Sequence, residues 1–131
     1  MIAILDASAA IGILLKKKDG EKYFDTLTAA TTVIAPDLYI SEITNVAWKH
    51  HKLLDFTHEE SATLAEDGIA LIDQFFPSKD VWKEALRESI NNDHPVYDAI
   101  YAICARRNDG VVLTYDKRLK QLCKKLGVDV L

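Results

Sequence analysis

Cysteine, proline and methionine are scarce, with two, three and one copies in 131 residues. Cys104 and Cys123 show neither CxxC nor Cys/His spacing, which excludes a zinc site. Both fall in helical patterns, where a reduced thiol packs as a small apolar group. No apolar run approaches the ~18 residues of a membrane span, and the first residues lack the basic flank and long apolar segment of a signal peptide. A cytoplasmic protein with no membrane attachment is therefore expected. Positive charge is not in excess: 16 Lys and Arg stand against 20 Asp and Glu, a net charge of −4. Nothing draws the whole chain to a phosphate backbone, so any nucleic-acid binding must rest on local basic clusters and on metal ions that offset acidic groups. Internal repeats, low-complexity stretches and long polar linkers are also missing. What remains is an ordinary globular composition, 49% hydrophobic and 27% charged, of a size that suits one domain over residues 1–131.

The chain opens on Ile2 to Leu5, an apolar run of strand length, and turns to a carboxylate in one step at Asp6. Ala7 to Leu15 predicts a short packed helix ending in Lys16 to Lys18, and Tyr23, Phe24 and Leu27 mark a second helix through about Ala30. Thr32 to Ala35 is β-branched and apolar and stops at Pro36, a second buried strand. Tyr39, Ile40, Ile43, Val46 and Ala47 predict an amphipathic helix from Asp37 to about Lys52, with Glu42, Asn45 and Lys49 on its other face. Thr57 to Glu60 has the form of a capping box opening a helix towards Ile72. Phe75 to Ser78 reads as a loop, and Val81 to Ile90 as a further helix. Asn91 to Pro95 is a turn, leading into a helix from Val96 to about Asn108 that is apolar almost all round. Val111 to Thr114 predicts a third strand, the segment after Asp116 a helix closed by Gly127, and Val128 to Leu131 a last strand. Strands alternating with helices give an α/β fold with a mostly parallel sheet.

Four carboxylates stand out. Asp6 and Asp116 each follow an apolar strand, so both should reach the rim of a parallel sheet where ligands bind, although Asp is also a preferred helix cap. Asp98 is the one acid near the start of an apolar helix. If buried it must be paired, metal-bound or turned into a polar cleft, while at the surface it would only meet the helix dipole. Glu42 shares a stripe with Asn45 and Lys49 and reads equally as a solvated neighbour of both. Collected in one cleft, the four would repel one another unless cations intervened, and oxygen-only ligands suit Mg2+ or Mn2+. Such acid clusters carry out metal-assisted phosphoryl chemistry without a histidine base or a protein nucleophile.

Asp6-Ala-Ser8 after the first strand, Glu42-Ile-Thr-Asn45 in the middle helix, Tyr97-Asp98-Ala99 in the late helix and Leu113-Thr114-Tyr-Asp116 after the late strand together resemble the PIN domain. The resemblance runs over essentially the full length, and the short stand-alone form looks like the VapC toxins of toxin–antitoxin pairs. It implies a PIN-like fold, a mostly parallel sheet of four or five strands flanked by helices. It further implies a Mg2+- or Mn2+-dependent endoribonuclease that cuts RNA phosphodiesters, dimerises, and is inhibited by a small antitoxin protein. Asp6, Glu42, Asp98 and Asp116 become the acidic set, with Asp6 and Asp98 the expected metal ligands and Glu42 and Asp116 further candidates. Ser8 and Thr114 become supporting polar groups and Asn45 a partner of Glu42.

Basic clusters that could hold RNA are Lys16 to Lys18, Lys49 to Lys52, Arg106-Arg107 and Lys117-Arg118 with Lys120, each equally a solvated face. Lys117 and Arg118 are the best placed, adjoining Asp116. His50, His51 and His58 are expected to be exposed and His94 to sit in a turn, none of them catalytic. Trp48, Trp82, Tyr97 and Tyr101 are expected to be packing residues. Two other classes of function compete: a catalytically silent module that binds a protein partner, and a phosphatase with Asp6 as nucleophile, which Ser8 disfavours by standing where a second acid would be needed.

Overall fold

The computed structural model describes residues 1–131. Four strands, β1 (Ile2–Leu5), β2 (Thr32–Pro36), β3 (Gln74–Phe76) and β4 (Val111–Leu113), form a wholly parallel sheet in the order β3-β2-β1-β4. Seven helices flank it: α1 (Ala7–Leu14), α2 (Gly20–Ala29), α3 (Leu38–Leu54), α4 (His58–Ala70), α5 (Trp82–Asn92), α6 (Val96–Asn108) and α7 (Lys117–Lys125). No helix is long and apolar enough to cross a membrane.

Side-chain alternation divides the sheet between two cores. Ile4, Ile34 and Val112, aligned by the strand register, pack with α5, α6 and α7. Ala3, Leu5, Val33, Ala35 and Leu113 face the opposite way, onto α1 to α4. A sheet covered on both faces needs apolar residues at every strand position, which is why these strands read as continuous apolar runs. The almost wholly apolar α6 is explained likewise: Ala99 to Ala105 are all buried. Cys104 and Cys123 are free and buried in the same core.

The Thr57–Glu60 capping box is present, with both reciprocal hydrogen bonds. Gly68 is required inside α4 because a Cβ there would come 2.7 Å from Ile43 Cγ1. The Tyr39 hydroxyl also donates to Gly68 O at 2.7 Å, fixing α3 on α4.

Two expectations about elements need correction. Phe75 and Phe76 are not loop: they pair in parallel with Ala35 and Pro36 as the edge strand β3. A three-residue strand is too short to show a period of its own, and its pairing is dictated by β2. The expected strand over Val128 to Leu131 reduces to one parallel bridge, Val130 to Val112. Four expectations about side chains also fail. His50 is buried, with Nδ1 2.9 Å from Val46 O. Trp48 and Trp82 are each 52% exposed and Tyr97 is 69% exposed, so none of these three packs as expected.

Candidate active site

The parallel register decides where the acids go. Leu5 pairs with Leu113, so the residues that follow them, Asp6 and Thr114, emerge side by side at the carboxyl rim of the sheet. The Asp6 N–H still donates to Leu113 O at 3.2 Å, carrying the ladder one step past the strands. Asp6 then caps α1, its Oδ1 accepting from Ala9 N at 2.9 Å and from Ser8 Oγ at 2.7 Å. Its Oδ2 accepts from Thr114 Oγ1. Thr114 Oγ1 in turn accepts from Asp116 N, and Ser8 Oγ accepts from Tyr115 N, both at 2.9 Å. Ser8 and Thr114 thus tie the start of α1 to the β4–α7 loop through Asp6. Asp116 caps α7 through Arg118 N at 2.8 Å. Capping and a place at the rim are therefore combined in both residues.

Glu42 enters the same region from the second turn of α3. Its Oε1 accepts from the hydroxyl of Tyr101, on α6, at 2.6 Å. Burial above all, with the charges of Asp6, Asp98 and Asp116 adding to it and the Tyr101 hydrogen bond opposing it, pushes the Glu42 carboxyl up to about 7. Burial likewise pushes Asp6 up to about 6, with Asp116 adding to the effect and the Thr114, Ala9 and Ser8 hydrogen bonds opposing it. The four carboxyls thus share one electrostatic neighbourhood, although their sequence positions span Asp6 to Asp116. Asp98 is held by His94, whose Nε2 lies 2.8 Å from Asp98 Oδ2 one helical turn earlier in the chain.

No Lys or Arg pairs with any of these four acids. Arg106 and Arg107, expected as possible RNA contacts, instead bind Glu84, each at 3.1 Å, and Arg106 also binds Glu88. Lys117 and Arg118 are exposed and unpaired beside Asp116. Asn45 is exposed and makes no hydrogen bond to Glu42. Tyr101 takes the place expected of it. Tyr101 and His94 are thus the two site residues missing from the expectation. Their signal was spacing: His94, Asp98 and Tyr101 recur at four and three residues, on one face of α6 and its entrance.

A set of carboxylate oxygens that no Lys or Arg neutralises suits a hard divalent cation such as Mg2+ or Mn2+. In charge and donor chemistry the residues fit one. No group of three or more His, Cys, Asp or Glu side chains is already drawn together tightly enough to hold an ion, so closure on a metal requires side-chain movement. A groove of about 620 Å³ lies elsewhere, lined by Ile13, Leu14, Phe24 and Leu71 with Lys16 and Lys17 among its polar edges.

The chain is similar to known proteins over almost its whole length. Ribonuclease VapC3 of Pyrobaculum aerophilum is 25% identical over 127 residues, covering 92% of this chain and 94% of the relative. Among solved structures, PAE2754 from Pyrobaculum aerophilum superposes with a TM-score of 0.70 at 21% identity, covering 99% of this chain and 89% of that one. VapBC-1 from nontypeable Haemophilus influenzae gives 0.68 at 15% identity, covering 100% and 97%. These two structures share the fold described above. The sequence profile of the PIN domain matches residues 3–125, from β1 to the end of α7, and the chain belongs to the PIN domain family.

Proposed function

We propose that this protein is a Mg2+- or Mn2+-dependent endoribonuclease and the toxin of a type II toxin–antitoxin pair. The observation that carries the reading is the group of four acids that no Lys or Arg offsets, His94 on Asp98 being their one basic neighbour. Asp6 and Glu42 are raised to about 6 and about 7 by burial and by their acidic neighbours. A folded protein keeps such a cluster at a cost, and a bound cation removes that cost. Asp6 and Asp98 are the ligands proposed for it, with Glu42 and Asp116 completing the acidic set.

A divalent ion held by these groups supplies an activated water and offsets charge on the phosphodiester. The chain's own part is orientation. Each carboxylate oxygen has two accepting directions. Asp6 Oδ1 uses both, on Ser8 and Ala9, and Oδ2 uses one on Thr114, which leaves one for a cation. Tyr101 occupies Glu42 Oε1 and His94 occupies Asp98 Oδ2, so the second oxygen of each acid is the one presented.

Similarity to the VapC3 ribonuclease and to VapBC-1 supports RNA as substrate and a small antitoxin as partner. The row Trp82, Leu86 and Ile90, exposed at four-residue spacing on α5, supports a homodimer. The test uses the purified chain, whose sedimentation coefficient reads the dimer. RNA cleavage should require Mg2+ or Mn2+, stop with EDTA, and fall on the order of 100-fold or more in Asp6→Asn and Asp98→Asn, both still folded. Undiminished cleavage by both variants rejects the assignment. One observation favours a second reading: no three of the acids are already placed to hold an ion. A catalytically silent PIN module would bind a protein partner tightly without metal and hydrolyse nothing.

A further inference from the structure

Helix α7 carries Lys117, Arg118, Lys120, Lys124 and Lys125 in its sequence KRLKQLCKK, with no acid among them. Leu119, Leu122 and Cys123 are its buried side. At ~100° per residue the five cations and Gln121 share the remaining arc of ~160°, so they form one continuous strip. The strip begins beside Asp116 and runs ~12 Å along the helix at 1.5 Å per residue.

None of these cations has an acidic partner. Of the other cations, Arg87, Arg106 and Arg107 pair with Glu84, Lys52 lies over the ring of Trp48 and Lys83 over that of Trp82, while Lys16, Lys17, Lys18, Lys22, Lys49 and Lys79 are likewise unpaired but stand outside the helix that Asp116 caps. Lys117 and Arg118 also sit at the positive end of the helix dipole, where cations cost stability. What distinguishes the α7 cations is that all five share one face of a single helix, which begins at Asp116.

We propose that the α7 strip is the surface along which a single strand of RNA lies, its phosphates held by Lys117, Arg118 and Lys120 and then by Lys124 and Lys125. This rests on the reading of the acidic cleft as a ribonuclease site, which the strip would feed at Asp116. A single strand is favoured over a duplex because Asp6 is buried, and a flexible backbone reaches such a group more readily than a rigid one. A peptide is disfavoured because α7 exposes no large apolar residue to anchor it. Contacts of this kind set affinity and direction without reading bases.

The test measures binding of labelled single-stranded RNA to the full chain in EDTA by fluorescence anisotropy, over a salt series. The wild type should lose affinity with salt at ~0.7 logarithmic units per neutralised phosphate. Lys117→Gln/Arg118→Gln/Lys124→Gln should bind about 10-fold or more weaker with a slope shallower by about 2. Lys22→Gln/Lys79→Gln, away from the strip, should change neither. Equal binding by the triple variant, no binding by the wild type, or preferential displacement of the RNA by polyglutamate would each overturn the strip. Binding that depends on α7 without cleavage in Mg2+ or Mn2+ keeps the strip and rejects the nuclease. Cleavage indifferent to the α7 charges does the reverse.

Discussion

Tyr101 shows how a single hydroxyl can govern an acid on another element. The ring is 2% exposed in the α6 core, and its hydroxyl is the one protein donor to Glu42. Replacement by Phe keeps the packing and frees the carboxylate to turn to water, so stability should change by no more than about 1 kcal/mol. Mn2+ affinity, measured by titration calorimetry, should fall about 10-fold, as for other groups that orient a metal ligand. In a Glu42→Ala background the same change should have no further effect. An equal loss in both backgrounds would mean that Tyr101 acts on the metal some other way. Asp6, Ser8 and Thr114 were legible in the sequence because strand ends announce themselves by a step from apolar to polar. Tyr101 was not, because in a helix apolar all round a buried tyrosine looks like core. His94 was hidden by its turn, and only the four-residue interval to Asp98 pointed to the pair.

Among the elements, the β4–α7 loop depends on α1. The ring of Tyr115 lies against Gly12, where a Cβ would come 2.2 Å from Cε2, and it packs edge-on to Tyr23 at 4.9 Å. The Tyr23 hydroxyl donates to Thr114 O at 2.7 Å, and that of Tyr115 donates to Lys18 O. Gly12→Ala must therefore push Tyr115 away and shift the loop that bears Thr114 and Asp116. A loss of about 1–3 kcal/mol in denaturant unfolding is expected, as for other overpacked sites. Tyr115→Leu in the same chain should absorb most of the added cost, a coupling that a double-mutant cycle reads directly. Additive effects would place the strain elsewhere. Strand and helix identities in this region followed from apolar runs and caps, whereas the Gly12–Tyr115 contact joins positions far apart in sequence and leaves no local pattern. Strand β3 was lost for a similar reason: its three residues are defined by a neighbour.

For the whole molecule, the acidic cleft should couple stability to pH and, on the proposed function, to metal. Folding raises Asp6 from 3.8 to about 6 and Glu42 from 4.5 to about 7. The folded state therefore holds these protons more tightly than the unfolded one. Their stabilising contribution is complete below about pH 4, declines as pH rises through both folded values, and is gone above about pH 7. For Asp6 the shift corresponds to about 3 kcal/mol, at about 1.4 per unit. Glu42 contributes less than its shift suggests, because solvent screens it. Melting of the metal-free chain should therefore fall between about pH 4 and pH 7. A cation binding the ionised acids opposes this, and at a hundredfold excess over its dissociation constant it supplies about 2.7 kcal/mol, close to the Asp6 deficit. Mn2+ should accordingly flatten the profile, with its largest gain at the alkaline end. Asp6→Asn should make the EDTA profile shallower, leave the chain more stable than wild type at alkaline pH, and cancel most of the Mn2+ response. Calorimetric melts over pH with EDTA or Mn2+ test all three. A wild-type chain that grows more stable with pH in EDTA would show that the acids are already compensated within the fold, and the metal would lose its physical reason to bind.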